Sequence, residues 1–195
     1  KADHLDEKYH GSCGQPIITS EVRIADESGN TLRFGEVGEI MVRSPYTLEC
    51  YYNDPEKTAE VYDGEWLKTG DIGYQIETGH LFIVDRSKDM IISGGMNVYS
   101  SEVENVVQEH PDIKQVMVIG IPHEDWGEAV CAAVVPVAGG LDVEDLTAFC
   151  KQRLAAYKVP KTIEVVADIP LTAYGKPDKK ALRAKYWGDQ ARQVN

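Results

Sequence analysis

The sequence has 195 residues, 43% hydrophobic and 27% charged, which is an ordinary balance for a folded protein and enough chain for one large domain or two small ones. Its 20 Lys and Arg against 32 Asp and Glu give a net charge of −12, which repels phosphate polymers and argues against a general nucleic-acid or anionic-membrane binder. The longest apolar stretch, Ala129 to Ala138, is too short to span a bilayer and contains Pro136, so no transmembrane segment is expected.

The chain opens on Lys1 rather than Met, in a polar stretch without a signal-peptide pattern, and reads as a piece of a longer protein. Its first half reads as β. Glu21 to Ala25 and Glu39 to Arg43 alternate polar and apolar residues, with a turn over Asp26 to Asn30 after the first. Asp54-Pro55 predicts a short capped helix that ends before Asp63-Gly64, and Leu81 to Asp85 predicts a strand entered through the turn at Thr78-Gly79. Beyond this point the period changes. Ser101 to Glu104 reads as a capping box, followed by a helical stripe of Val103, Val106 and Val107 that stops near His110-Pro111. Strands are predicted over Ile113 to Ile121, Ala129 to Val137 and Thr162 to Val166. Helices are predicted over Asp142 to Leu154 and Asp178 to Trp187. A β-rich half followed by a mixed half predicts two units joined near Asp85 to Asp89.

Charge is uneven along the chain. Residues 1–86 carry 8 basic and 17 acidic side chains, whereas residues 151–195 carry 10 basic and 4 acidic. The basic tail is either a solvated helix face or a surface that meets small phosphorylated ligands. Four scattered cysteines, with no C-x-x-C pair, predict free thiols and a reducing cytoplasm.

Three segments carry candidate chemistry. In Thr69-Gly70-Asp71 the glycine permits a tight turn, and the carboxylate beside it can accept two hydrogen bonds from a ribose diol; a plain β-turn is the alternative. Asp85 to Asp89 precedes Ser93-Gly94-Gly95-Met96, where paired glycines between a strand and a helix let backbone N–H groups approach a ligand. No Lys-Ser/Thr follows these glycines, so this is not a Walker-type loop. In Pro170 to Asp178, Gly175 and Pro177 flank Lys176 and hold a point charge at the tip of a constrained loop.

Taken in order, these segments resemble the C-terminal signatures of the adenylate-forming superfamily, which includes acyl-CoA synthetases, luciferases and peptide-synthetase adenylation domains. The residues that carry the resemblance are Trp66 to Asp71, Asp85 to Asn97, Asp125 to Glu128, Tyr157 to Pro160 and Pro170 to Asp178, and it runs from about Gly11 to Trp187. It implies an α+β chain. Residues 1–86 would form a distorted β-barrel-like subdomain that ends the large adenylating domain. Residues 87–195 would form a small mobile α+β domain with a short central sheet flanked by helices. It also implies the C-terminal portion of an ATP-dependent, AMP-forming fatty- or aryl-acid CoA ligase that acts through an acyl-adenylate, with ATP, Mg2+ and CoA as cofactors and a small-molecule carboxylic acid as substrate.

By the same resemblance, Asp71 binds the ATP ribose hydroxyls and Arg86 makes a second nucleotide contact. Lys88 is the hinge, and Gly94 and Gly95 line the pantetheine tunnel. Lys176 bridges the carboxylate and the α-phosphate during adenylation. Lys158, Lys161 and Lys179 are candidate contacts to the CoA phosphates. No metal ligands are expected in this chain. It lacks the family's phosphate loop and its Tyr-Gly-x-Thr-Glu segment; both, with the acyl pocket, are expected upstream of Lys1, so the chain alone is expected to be inactive. The alternatives are part of an adenylation domain that loads a carrier protein, or a non-catalytic binding module.

Overall fold

The structure is a computed structural model that describes residues 6–188; the chain opening at Lys1 and the end of the basic tail lie outside the described residues. The chain divides into two compact units, one up to Ser87 and one from Lys88 onward.

The first unit holds strands β1 (Ser12–Gly14), β2 (Glu21–Ala25), β3 (Gly38–Arg43), β4 (Tyr62–Asp63), β5 (Trp66–Gln75) and β6 (Leu81–Arg86), with a 3-10 turn over Glu7–Tyr9 and a short α-helix, α1 (Pro55–Glu60). The sheet runs β1-β6-β5-β3-β2, all antiparallel, with β4 added to β5. Its buried apolar residues are Ile24, Ala25, Ile40, Met41 and Ile72; 24–25 and 40–41 are neighbours within their strands, so both faces of the sheet are covered there. Asp54 caps α1 by accepting from the Lys57 N–H, with Pro55 in the first turn. The expected barrel-like closure is absent among the described residues. The sheet ends on β1 and β2, which do not pair with each other, and a barrel exists only when its edge strands join.

The second unit holds β7 (Ile91–Ser93), β8 (Met96–Val98), α2 (Ser100–Gln108), β9 (Ile113–His123), β10 (Gly127–Pro136), α3 (Val143–Arg153), β11 (Thr162–Val165) and α4 (Lys179–Trp187). β10 is central: β9 pairs antiparallel along it, while β11 (parallel) and β7 (antiparallel) also bond to it. The sheet is covered on both faces, and the period-2 rule assigns the cover. Val118, Val130, Ala132 and Val134 pack with Val103 and Val107 of α2 and with Leu146 and Cys150 of α3. The alternate residues Met117, Ile119, Cys131, Ala133 and Val135 pack with Leu182 of α4. Each fully buried Val, Ile or Leu contributes roughly 1.5–3 kcal/mol. Burial on both faces is why the β10 sequence reads as a continuous apolar run. The α+β class stands.

Two local expectations are corrected. The capping box at Ser101 to Glu104 is not the helix start. α2 begins at Ser100 with Tyr99 at the N-cap position, and the Glu104 carboxylate instead accepts from the Val118 N–H at 2.8 Å. The glycine pair does not join a strand to a helix. It is the two-residue turn of the β7–β8 hairpin, with Ser93 opposite Met96. Gly94 and Gly95 have φ of +59° and +78°, the conformation of a type I′ turn, which suits the twist of paired strands.

Candidate functional site

Thr69-Gly70-Asp71, read as a loop, lies inside β5 as a bulge. Glu39 of β3 faces Ile72 and Met41 faces Lys68, so three residues of β5 stand opposite Ile40 alone. The Thr69 hydroxyl stitches the bulge: it donates to the Ile40 carbonyl at 2.8 Å and accepts from the Asp71 N–H at 3.1 Å. Gly70 takes φ +72°, which only glycine adopts freely. A bulge re-aims the side chain beside it, and here it presents Asp71. Arg86 on β6 is the cross-strand partner of Asp71, with Nε 2.7 Å from Oδ1. The Arg86 side chain is 54% exposed and that of Asp71 27%. Oδ1 is therefore engaged, while Oδ2 remains an acceptor at the half-open edge of the pair.

Lys88 is exposed, within a 3-10 turn over Ser87–Asp89, directly after the boundary between the units. Asp89 beside it is buried and paired at 2.6 Å with Arg183 of α4.

Lys176 sits on a small hairpin. Leu171 bridges to Pro177, the Thr172 N–H donates to the Lys176 carbonyl at 2.7 Å, and the Asp178 N–H donates to the Pro170 carbonyl at 2.8 Å. Gly175 takes φ +76° at the turn. Asp178 then caps α4 by accepting from the Ala181 N–H. Among the described residues the Lys176 ammonium forms no ion pair and its side chain is exposed. Tyr174 beside it is 92% exposed. The loop thus delivers an uncompensated cation at a braced tip.

The Gly94 N–H donates to the Trp126 carbonyl at 2.9 Å, which ties the glycine hairpin to the segment Asp125 to Glu128. Glu128 is 4% exposed, and its Oε2 accepts from the Ile92 N–H at 3.2 Å. Gly120 makes room for it: a Cβ there would lie 2.4 Å from that oxygen.

The three candidate CoA lysines separate. Lys158 lies between the two oxygens of Glu102, each at 2.7 Å. Burial works against its charge, but the Glu102 bonds outweigh it and hold the ammonium pKa above its ordinary value. Lys179 is paired with Glu104 at 2.8 Å. Lys161 forms no ion pair among the described residues; it contacts the Ala156 carbonyl and lies 5.2 Å from the Trp126 ring centroid, a ring that stacks on His123. Sequence reading missed the Asp89–Arg183 and Glu104–Lys179 pairs and the burial of Glu128. Each joins residues far apart in the chain, and local periodicity carries no signal for that. Among the described residues no three His, Cys, Asp or Glu side chains gather as a metal site, and no helix is long and apolar enough to cross a membrane. All four cysteines are free.

Two family models match this chain: the AMP-binding enzyme model over residues 2–52, and the AMP-binding enzyme C-terminal domain over residues 102–176, ending on Lys176. The chain belongs to the AMP-binding enzymes. Among curated relatives, the medium/long-chain-fatty-acid–CoA ligase FadD8 of Mycobacterium tuberculosis is 45% identical over 203 residues, covering all of this chain and 35% of the relative. Two solved structures superpose well. The amide bond synthetase McbA of Marinactinospora thermotolerans gives a TM-score of 0.84 at 47% identity, over 94% of this chain and 37% of its own. The o-succinylbenzoate CoA synthetase MenE of Bacillus subtilis, in complex with its acyl-adenylate intermediate, gives 0.85 at 35% identity, over 92% and 37%. The chain therefore spans about a third of the length of the relatives it matches.

Proposed function

We propose that this chain is the lysine-bearing C-terminal part of an ATP-dependent, AMP-forming acid–CoA ligase that works through an acyl-adenylate. The observation that carries the reading is Lys176, an exposed and uncompensated ammonium on a braced hairpin at the end of the matched C-terminal domain. In the first half-reaction a carboxylate oxygen bonds to the α-phosphorus of ATP as the bond to pyrophosphate breaks. Negative charge builds on the transferring group, and a cation held there stabilises it. In the second, the CoA thiol bonds to the acyl carbon, losing its proton, and AMP leaves.

Asp71 suits the ribose because Oδ2 remains an acceptor while Arg86 holds Oδ1. Mg2+ would travel with ATP, and no residue described here is assigned to it. Lys88, at the unit boundary, is the proposed hinge. The exchange of Lys176 for the Gly94-Gly95 hairpin between half-reactions is domain closure pivoting at an element terminus. The residues up to 86 would complete the large domain, those from 87 would form the moving one, and the four free thiols fit a reducing cytoplasm. With the rest of the machinery in the remaining two-thirds of the protein, the isolated chain would be inactive.

A second acceptor class is favoured by one observation: the amide bond synthetase McbA is about as similar to this chain as the CoA ligase is. Acid-dependent ATP–pyrophosphate exchange by the full-length protein tests both readings, and the absence of exchange with every acid tried would sink both. Supplying CoA or an amine to the acyl-adenylate then decides between thioester and amide.

A further inference from the structure

We propose that Lys179 is a positioning residue, locking the Lys176 hairpin to the stem of the β7–β8 hairpin so that the two move as one piece. This deepens the ligase reading and rests on it. The Lys179 side chain is only 16% exposed. It donates to the Ser100 hydroxyl at 2.7 Å and pairs with Glu104 Oε1 at 2.8 Å. Ser100 is fully buried and opens α2, two residues after the end of β8. Glu104 is itself held, its Oε1 also accepting from the Val118 N–H at 2.8 Å.

Stiff links lead from Lys179 back to Lys176. Lys179 is the first residue of α4, Asp178 caps it, Pro177 fixes its own φ, and Leu171 bridges to Pro177. One ammonium therefore ties the base of the loop that would deliver charge in adenylation to the base of the loop that would line the thiol path.

The tie is not what keeps α4 on the sheet. Leu182 is fully buried beneath the helix, Trp187 Nε1 donates to the Gly120 carbonyl at 3.0 Å, and Arg183 pairs with Asp89 at 2.6 Å. Losing the Lys179 contacts frees the N-terminal turn of α4, where the Lys176 hairpin joins it, and leaves the body of the helix in place. A charge already matched by Glu104 is also poorly placed to hold a CoA phosphate.

The test uses the full-length enzyme with Lys179→Met, Lys179→Arg, Glu104→Gln and the Lys179→Met/Glu104→Gln double variant. In Lys179→Met, kcat for pyrophosphate exchange should fall on the order of 10- to 100-fold, the scale of a catalytic group misplaced by about 1 Å. KM for CoA, measured on supplied acyl-adenylate, should not change. Lys179→Arg should restore most of the rate. Glu104→Gln should reproduce the loss, and the double variant should lose little more than either single change. Unchanged exchange in Lys179→Met, or a raised KM for CoA with exchange intact, overturns the proposal. If Lys179→Met does not fold, Glu104→Gln is judged by the same readings. If the wild-type enzyme shows no exchange with any acid, the ligase reading fails separately. The lock is then judged by amide hydrogen exchange over residues 172–178, which must quicken in Lys179→Met; an unchanged rate there overturns it.

Discussion

Asp71 and Arg86 face each other across the β5–β6 ladder, with Oδ1 2.7 Å from Nε and the second carboxylate oxygen left to accept. If that oxygen takes the ribose diol, Asp71→Asn in the full-length enzyme removes a charge-assisted acceptor while keeping its shape. KM for ATP should rise roughly 10- to 100-fold, the equivalent of a hydrogen bond to a charged group. Stability should change by less than about 1 kcal/mol, because the pair is half-exposed. Steady-state kinetics at varied ATP checks this, and an unchanged KM would leave the carboxylate with strand pairing as its only role.

Lys176→Ala should divide the two half-reactions. Pyrophosphate exchange should fall by about 10²–10³, the usual loss when one electrostatic stabiliser is removed. Thioester formation from supplied acyl-adenylate should fall far less. Equal losses in both assays would contradict a role confined to adenylation.

Lys158 and Lys161 should behave as different kinds of residue despite lying three positions apart. Lys158→Met breaks the two-oxygen bond to Glu102 and should lower unfolding stability by about 1 kcal/mol with no change in KM for CoA. Lys161→Ala removes an ammonium that no carboxylate pairs with among the described residues, and it should raise KM for CoA about 10-fold. Urea titration and CoA-dependent kinetics separate the two. A raised KM in Lys158→Met would return that residue to the CoA surface.

The second unit should weaken in alkali. Burial pushes the Cys131 and Cys150 thiols above their ordinary value of 9.0. Burial and then the bond to Glu164 push the Tyr186 phenol far above 10.0. Lys158 is raised above 10.5, burial being outweighed by Glu102. All four hold their protons more tightly folded than unfolded. Their contribution is therefore complete below pH 9 and is lost as pH climbs past each unfolded value. Urea midpoints between pH 7 and 11 should fall from about pH 9 upward. Tyr186→Phe, with no phenol to ionise, should flatten the part above pH 10.0. A midpoint rising with pH over that range would refute the assignment.

Much of this architecture is legible in the chain because burial acts through local periods. The valine stripe of α2 is imposed by one buried face, and the alternation in Glu21 to Ala25 and Glu39 to Arg43 marks both segments as strands, although burial there reaches both faces at 24–25 and 40–41. The Asp54 and Asp178 caps are read from a single residue at a helix start. Bulges and turns leave a weaker trace in the sequence. Thr69 to Asp71 looks like a loop because a glycine and two small polar residues are what a bulge also needs, and only the pairing with β3 tells the two apart. Gly94-Gly95 looks like a strand-to-helix turn because β8 is three residues long, too short to show alternation. Lys176, Asp71 and Arg86 could be nominated from motif order, yet the partners that hold Lys158, Lys179 and Asp89 lie 56, 75 and 94 positions away in sequence.

The space under Gly120 makes two positions behave as one. A methyl group at residue 120 would collide with the Glu128 carboxylate, and a shorter side chain at 128 would leave a hollow and an unanswered Ile92 N–H. Relieving the collision would turn a carboxylate that is only 4% exposed away from the Ile92 N–H, so a change at one site disturbs the other. Across the lineage that shares this sheet, replacements at 120 and 128 should be inherited as couples, and a bulkier residue at the first should travel with a smaller, uncharged one at the second. A substitution at either position grafted singly from a distant cousin should therefore be poorly tolerated, although the same change is harmless in the background that evolved with it.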